Sequence, residues 1–242
     1  MRRAGASLAP VQRLGALRRP VDDALDQLRF WLDRNPLRSY QPVPELGADH
    51  AARALGTWSR WEAMRPLVAA GGVRSAVDVG CDAGWFTLRL ASEGVVTIGV
   101  EYDPPAYRTA IVAARRSGLE NVGLLVIRID PQSATMLPRA DACLLLAVWH
   151  HLVREQGLDQ ATSVLRTLWQ QTGTVLFFET GEGEMDASYS LPAMDPDSRT
   201  WIAEYLGDCC PGGEVNHLGI HDAFTPDLRP CRRNLFAVMR IE

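Results

Sequence analysis

The chain of 242 residues contains no lysine: all 25 of its basic residues are arginine, a bias that GC-rich codons produce without a functional cause. It has no uninterrupted apolar run of the roughly 18–20 residues that a membrane span needs; the longest, Ala142 to Trp149, is strand-sized. No apolar core follows Arg2 and Arg3, so a secretory leader is not expected. Cys81, Cys143, Cys209, Cys210 and Cys231 form no CxxC pair. They read as reduced thiols of a cytoplasmic protein, and no catalytic metal is expected. The first 20 residues contain no acid.

What is present is a globular composition, 47% hydrophobic and 22% charged. Charge is split along the chain. Residues 1–70 carry 11 Arg against 7 acids, and 71–242 carry 14 against 22. A basic arm suits phosphate, whereas the acidic remainder argues against a broad nucleic-acid surface. Residues 1–70 read as an arm followed by a helical lid: Leu25, Leu28 and Leu32 are spaced for one apolar helix face over 21–35. Pro36, Pro42 and Pro44 then form a linker, and a second helical stretch covers about 48–70.

From Gly71 onward strands alternate with helices. Strands are expected at 76–79, 95–100, 124–129, 142–148, 174–178 and 234–240. Helices are expected at 85–92, 104–117, about 158–172 and 198–206. Asp103-Pro104 is a helix start, with an N-cap and a proline at the first position, and Gly118 is its stop. Such alternation implies parallel pairing through right-handed crossovers, hence an α/β, doubly wound, mostly parallel Rossmann-like sheet with an N-terminal helical extension. Residues 71–242 are expected to form this sheet as one domain.

Ligands of such sheets bind beyond the carboxyl ends of the strands. The first strand ends in Val77-Asp78-Val79-Gly80-Cys81-Asp82-Ala83-Gly84, and the second in Glu101, followed by Tyr102. A dinucleotide site wants G-x-G-x-x-G, but counted from Gly80 the second and third glycine positions hold Asp82 and Trp85. A carboxylate there repels a pyrophosphate. It attracts the sulfonium and ammonium of S-adenosylmethionine (SAM), so the sign of the charge favours SAM over NAD. Asp82 also tolerates the left-handed backbone that the missing glycine would have adopted.

These residues resemble motif I of class I SAM-dependent methyltransferases, D/E-x-G-x-G-x-G, with Asp82 in place of the middle glycine. The resemblance implies cofactor contacts from Asp78, Gly80, Cys81, Asp82, Gly84, Glu101 and Tyr102, with Glu101 on the ribose and Asp130 near the adenine amine. Trp58-Ser59-x-Trp61 followed by Arg65 and Pro66, Gly80-Cys81-Asp82-Ala83-Gly84-Trp85-Phe86, Val148-Trp149-His150-His151 and Phe178-Glu179-Thr180 together are similar to the group that includes the tRNA wobble-uridine carboxymethyltransferase and its relatives. That similarity covers about 57–180. The carboxymethyl-transferring members need a cation for an extra carboxylate, for which Arg65 is the candidate.

His150 and His151 follow the fourth strand, where either suits a general base with a pKa near the operating pH. His151 matches the family's histidine. Glu179, with Glu182 and Glu184 beyond it, and Tyr40, Trp58 and Trp61 are candidates for binding the acceptor or for walling the site. His217 and His221 flank a glycine in a segment read as loop, against a helical zinc pair. The function expected is transfer of a methyl group from SAM to a small-molecule or saccharide acceptor, on oxygen. The alternatives are an RNA-modifying methyl or carboxymethyl transferase and a non-catalytic SAM-binding protein.

Overall fold

The computed structural model describes residues 24–30, 32, 40–48, 55–225, 227 and 229–241. The Arg-rich arm, and parts of the two N-terminal helical stretches, lie outside the described residues. The elements in chain order are α1 (Leu55–Ala70), β1 (Ser75–Val79), α2 (Trp85–Ser92), β2 (Val96–Val100), α3 (Pro104–Ser117) and β3 (Val122–Leu125). They continue with α4 (Pro131–Ala134), β4 (Ala140–Leu146), α5 (Trp149–Gln156), α6 (Leu158–Gln171), β5 (Thr172–Glu179), α7 (Ser198–Cys209), β6 (Gly213–Phe224) and β7 (Pro230–Arg240).

One seven-stranded sheet runs in the order β3-β2-β1-β4-β5-β7-β6. Pairing is parallel from β3 through β5, and β7 is antiparallel to both β5 and β6. This is the doubly wound sheet expected from the alternation. Period-two alternation divides each central strand between two cores. Val77, Val79, Cys143, Leu145, Leu176 and Phe178 face Trp149, Leu165, Trp169 and Ile202 of α5, α6 and α7. Ala76, Ala142, Leu144, Val175 and Phe177 face Trp61 and Met64 of α1 and Trp85 and Phe86 of α2.

Local signals place the helices. Asp103 accepts from Ala106 N at 3.0 Å with Pro104 at the first position, and Gly118 closes α3 at φ 69°. Three expectations need correction. The segment around His217 and His221 is strand β6, with Gly219 (φ 112°) at a register shift against β7. The third strand is β3 at Val122–Leu125, not 124–129, because its partner Thr97–Val100 ends there. In the stretch that is helical at 24–30, Leu25, Leu28 and Leu32 are 45%, 55% and 75% exposed. The packed side instead carries Phe30, set against Leu46, Leu88 and Ala113, and Gln27, which donates to the Leu46 carbonyl at 3.1 Å.

Among the described residues no helix is long and apolar enough to cross a membrane, and no group of His, Cys, Asp and Glu is placed to hold a metal. The five cysteines are free thiols.

Candidate functional site

Chains leaving β1 and β4 cross to opposite sides of the sheet, which opens a cleft at the carboxyl ends of the two strands. A cavity of about 390 Å³ occupies it, within the range of sites for small ligands.

One end of the cavity is acidic. The turn after β1 runs through Gly80 at φ 70°, Asp82 at φ 50° and Gly84 at φ 82°. Asp82 thus adopts the left-handed conformation anticipated from its substitution for glycine. A Cβ on Gly80 would lie 2.3 Å from Cγ2 of Val148, so the turn after β1 and the residue preceding α5 touch through a missing side chain. Glu101 ties this turn to the next strand. Its Oε2 accepts from Asp82 N at 2.9 Å, and its Oε1 accepts from Tyr102 N and Asp103 N, both at 2.8 Å. Burial raises the Glu101 pKa above that of an ordinary glutamate, while the Asp103 and Asp82 amides oppose that rise. Gly80, Asp82, Glu101, Tyr102 and Asp103 all line the cavity.

Asp78 lies deeper. It is buried at the end of β1, accepts from Thr87 Oγ1 at 2.7 Å, and burial pushes its carboxyl up to about 7. It lines a small recess behind Gly80, shared with Tyr40, Gln41, Thr57, Arg60 and Glu179. Tyr40 lines both spaces, and burial and Glu179 hold its phenol above the usual range. Cys81 is buried, and burial and Asp78 raise its thiol well above the ordinary value. It lies under Gly99, whose Cβ would meet its Sγ at 2.8 Å, and so packs β1 against β2 without lining the cavity.

The other end is basic and aromatic. Both histidines stand on the first turn of α5 with ring centroids 4.3 Å apart, and each ring is 5.6 Å from Tyr189. His150 is buried, and its Nδ1 accepts from Gly181 N at 2.8 Å. Burial, then His151, Arg233 and Arg154, hold its pKa well below 6.5. Burial and Arg154 lower His151 to about 4. The expected near-neutral base is therefore an imidazole that stays uncharged at pH 7. Arg154, one turn along α5, and Arg233, buried on β7, line the same end.

Several candidates lie elsewhere. Trp61 is buried on the α1 face of the sheet and Trp58 is half exposed, 4.9 Å from Trp85 and beneath Arg89. Neither lines the cavity, because their face of α1 packs on α2. Asp130 is the N-cap of α4, accepting from Ser133 N at 2.7 Å, and is also absent from the lining. Arg65 pairs with Glu93 at 3.0 Å, half exposed. Glu179 is engaged with the Arg60 guanidinium, whose Nη2 donates to it at 3.2 Å, and with Arg233 at 4.0 Å. Glu184 holds Arg233 at 2.7 Å, and Glu182 accepts from Asn234 N and Nδ2 at 2.6 and 2.9 Å. These acids anchor β7 at the rim.

Sequence reasoning overlooked Arg154, Arg233 and Met185. Arg154 was within reach of it, four residues after His150 on one helix face. Arg233 and Met185 reach the cavity through long-range packing that no local pattern announces.

No family model matches the chain. The O-antigen chain terminator bifunctional methyltransferase/kinase WbdD of Escherichia coli is 28% identical over 129 residues, 53% of this chain and 16% of that protein. The chain therefore spans less than a fifth of the curated relatives it matches. A solved structure of the bifunctional kinase-methyltransferase WbdD aligns with TM-score 0.65 at 24% identity, over 83% of this chain and 43% of that one. The magnesium protoporphyrin IX methyltransferase ChlM of Synechocystis PCC 6803, solved with bound SAM, aligns with TM-score 0.55 at 18% identity, over 76% and 79% of the respective chains. The fold is the class I SAM-dependent methyltransferase fold. Within it, this chain is similar to part of the O-antigen chain terminator bifunctional methyltransferase/kinase and, at lower identity, to the magnesium protoporphyrin IX methyltransferase.

Proposed function

We propose that the chain is a SAM-dependent methyltransferase acting on an oxygen of a small-molecule or saccharide acceptor. The observation that carries this reading is the division of one cavity into an acidic end built on the turn after β1 and a basic, histidine-bearing end on α5. The donor set fits SAM. Asp82, Glu101 and Asp103 at one end would repel a pyrophosphate and attract a cation. Bound there, SAM supplies an electrophilic methyl group on a sulfonium.

In this reading Glu101, held in place by three backbone amides, accepts from the ribose hydroxyls. Asp78 faces the ammonium through the recess behind Gly80, while Gly80 and Gly84 keep the turn free of side chains. Tyr102 and the apolar Ile127, Ile129 and Leu152 wall the base. Tyr40 and Gln41 represent, among the described residues, the lid assigned to residues 1–70. His150 and His151 meet the acceptor. A neutral imidazole is the form suited to an end that already holds Arg154 and Arg233 and faces a sulfonium.

The similarity to the O-antigen chain terminator supports a saccharide-type acceptor. Calorimetric titration with S-adenosylhomocysteine, with NAD as control, tests the cofactor: binding of the former alone is expected, and NAD binding would overturn it. Methyl transfer to saccharide and small acid acceptors then tests the second half. Salt-sensitive binding of tRNA together with transfer to it would move the acceptor to RNA.

A further inference from the structure

His150 is held so that its two nitrogens have different duties. A backbone N–H can only donate, so the 2.8 Å contact from Gly181 N requires a lone pair on Nδ1. Thr180 Oγ1 lies 3.3 Å from the same nitrogen. A neutral imidazole with a bare Nδ1 carries its one proton on Nε2, the nitrogen left for a ligand in the cavity that the ring lines.

We propose that His150 is locked as the Nε2–H tautomer and acts as a hydrogen-bond donor to the acceptor's oxygen, leaving any proton abstraction to His151. The role in transfer rests on the methyltransferase reading; the tautomer does not.

To act as a base toward the cavity, His150 would need a bare Nε2, hence a proton on Nδ1. That proton would be driven against the Gly181 N–H and would break the 2.8 Å hydrogen bond. Reorientation is opposed by close neighbours. The ring packs against both His151 and Tyr189, which also touch each other, and Gly181 approaches so closely that a Cβ on it would sit 3.1 Å from the His150 Cγ and 2.6 Å from the Met185 Cγ. The charged and titratable groups facing the ring are His151 and Arg154 of α5, Arg233 of β7 and Tyr189. None of these favours an imidazolium, and burial opposes it further.

His151 differs in kind. It lines the same cavity, is less buried, and neither of its ring nitrogens has a backbone partner of this sort among the hydrogen bonds of the described residues. Two adjacent residues of one type thus divide into a fixed donor and a ring whose tautomer can follow the reaction. The division implies an acceptor oxygen that receives a hydrogen bond while its methyl bond forms, so the Nε2–H contact orients the lone pair that attacks.

The test is long-range proton–nitrogen correlation on the full chain labelled with 15N-histidine, with the His150 ring assigned through its contact with the Gly181 amide. The expected result is a protonated Nε2 and a bare Nδ1 from pH 6 to 8, with and without S-adenosylhomocysteine. A shift of the Nε2–H resonance is also expected when acetate, an oxygen probe, is titrated into the S-adenosylhomocysteine-loaded protein. A proton on Nδ1, or conversion to imidazolium in that range, overturns the locked tautomer. An Nε2–H resonance that acetate leaves unmoved overturns the donor role. Failure of S-adenosylhomocysteine to bind, with the tautomer as stated, counts against the methyltransferase reading alone.

Discussion

Replacing Glu101 separates what the carboxylate does for the fold from what it does for a ligand. Its oxygens accept from the amides of Asp82, Tyr102 and Asp103 at 2.8–2.9 Å. A donor left without its acceptor costs about 1–3 kcal/mol. Here the low end applies, because Tyr102 and Asp103 are exposed and water reaches the vacated space. Three donors then give roughly 3 kcal/mol for Glu101→Ala, or a fall in Tm of roughly 6–12 °C for a chain of this size. Glu101→Gln keeps an oxygen for Tyr102 and Asp103, which share Oε1, and sets an amide N–H against Asp82 N. That removes about one hydrogen bond and predicts a fall of roughly 2–4 °C. Thermal denaturation of the three proteins gives the order, and titration with S-adenosylhomocysteine gives the affinity. Glu101→Ala should weaken binding by about 1–3 kcal/mol, because the ribose hydroxyls no longer have their acceptor. An alanine variant melting with the wild type, or a glutamine variant as damaged as alanine, would refute the claim that this carboxylate holds the turn.

Four further outcomes are expected. The Asp78 carboxyl sits at about 7 in the fold against 3.8 in the open chain. Its contribution to stability is complete below about pH 4 and is lost as pH climbs through 7, by up to about 1.4 kcal/mol per unit. Asp78→Asn should therefore melt above the wild type at pH 8 and lose that dependence, and a pH-independent wild-type Tm between 5 and 8 would contradict it. Glu179→Ala leaves Arg60 and Arg233 buried without their shared partner and should cost about 3–5 kcal/mol in chemical denaturation; a loss under about 1 kcal/mol would mean the web is not a unit. His151→Ala should lower turnover while leaving S-adenosylhomocysteine affinity intact. Because the ring is uncharged above about pH 4, the wild-type rate should show no acid limb near 6.5. Gly80→Ala should lose most S-adenosylhomocysteine affinity, since its Cβ meets Val148. Val148→Ala in the same chain should restore part of it, and an additive further loss would sink the steric account.

The sequence made legible those features that are written locally. Helices α2 and α3 begin and end where expected because caps and stops such as Asp103, Pro104 and Gly118 act within one turn. The left-handed Asp82, the cavity positions of Gly80, Glu101, Tyr102 and Tyr40, and the pairing of the two histidines were legible for the same reason. Strand β6 was not. Only two of its twelve residues are buried, so it lacks the apolar pattern of a strand and owes its form to pairing with β7. Trp58 and Trp61 misled because an aromatic pair on a helix suits a core as well as a lid, and which applies depends on the tertiary position of α2. Glu179 ends β5 as read from the sequence, but it is buried and consumed by two arginines, one of them 54 residues further along the chain.

The position of the last strand has a consequence for biogenesis. β7 is inserted between β5 and β6, not added at the rim of the sheet. A ribosome therefore delivers β5, and later β6, before the segment that must lie between them. Until Pro230–Arg240 has emerged, β5 offers an open edge bearing Val175 and Phe177, which is a template for illegitimate pairing. Glu179 meanwhile has Arg60 for a partner but lacks Arg233, the second cation set against it. Productive pairing of this sheet thus waits for Pro230–Arg240, and its yield should respond to translation speed and chaperone supply around the codons of that strand.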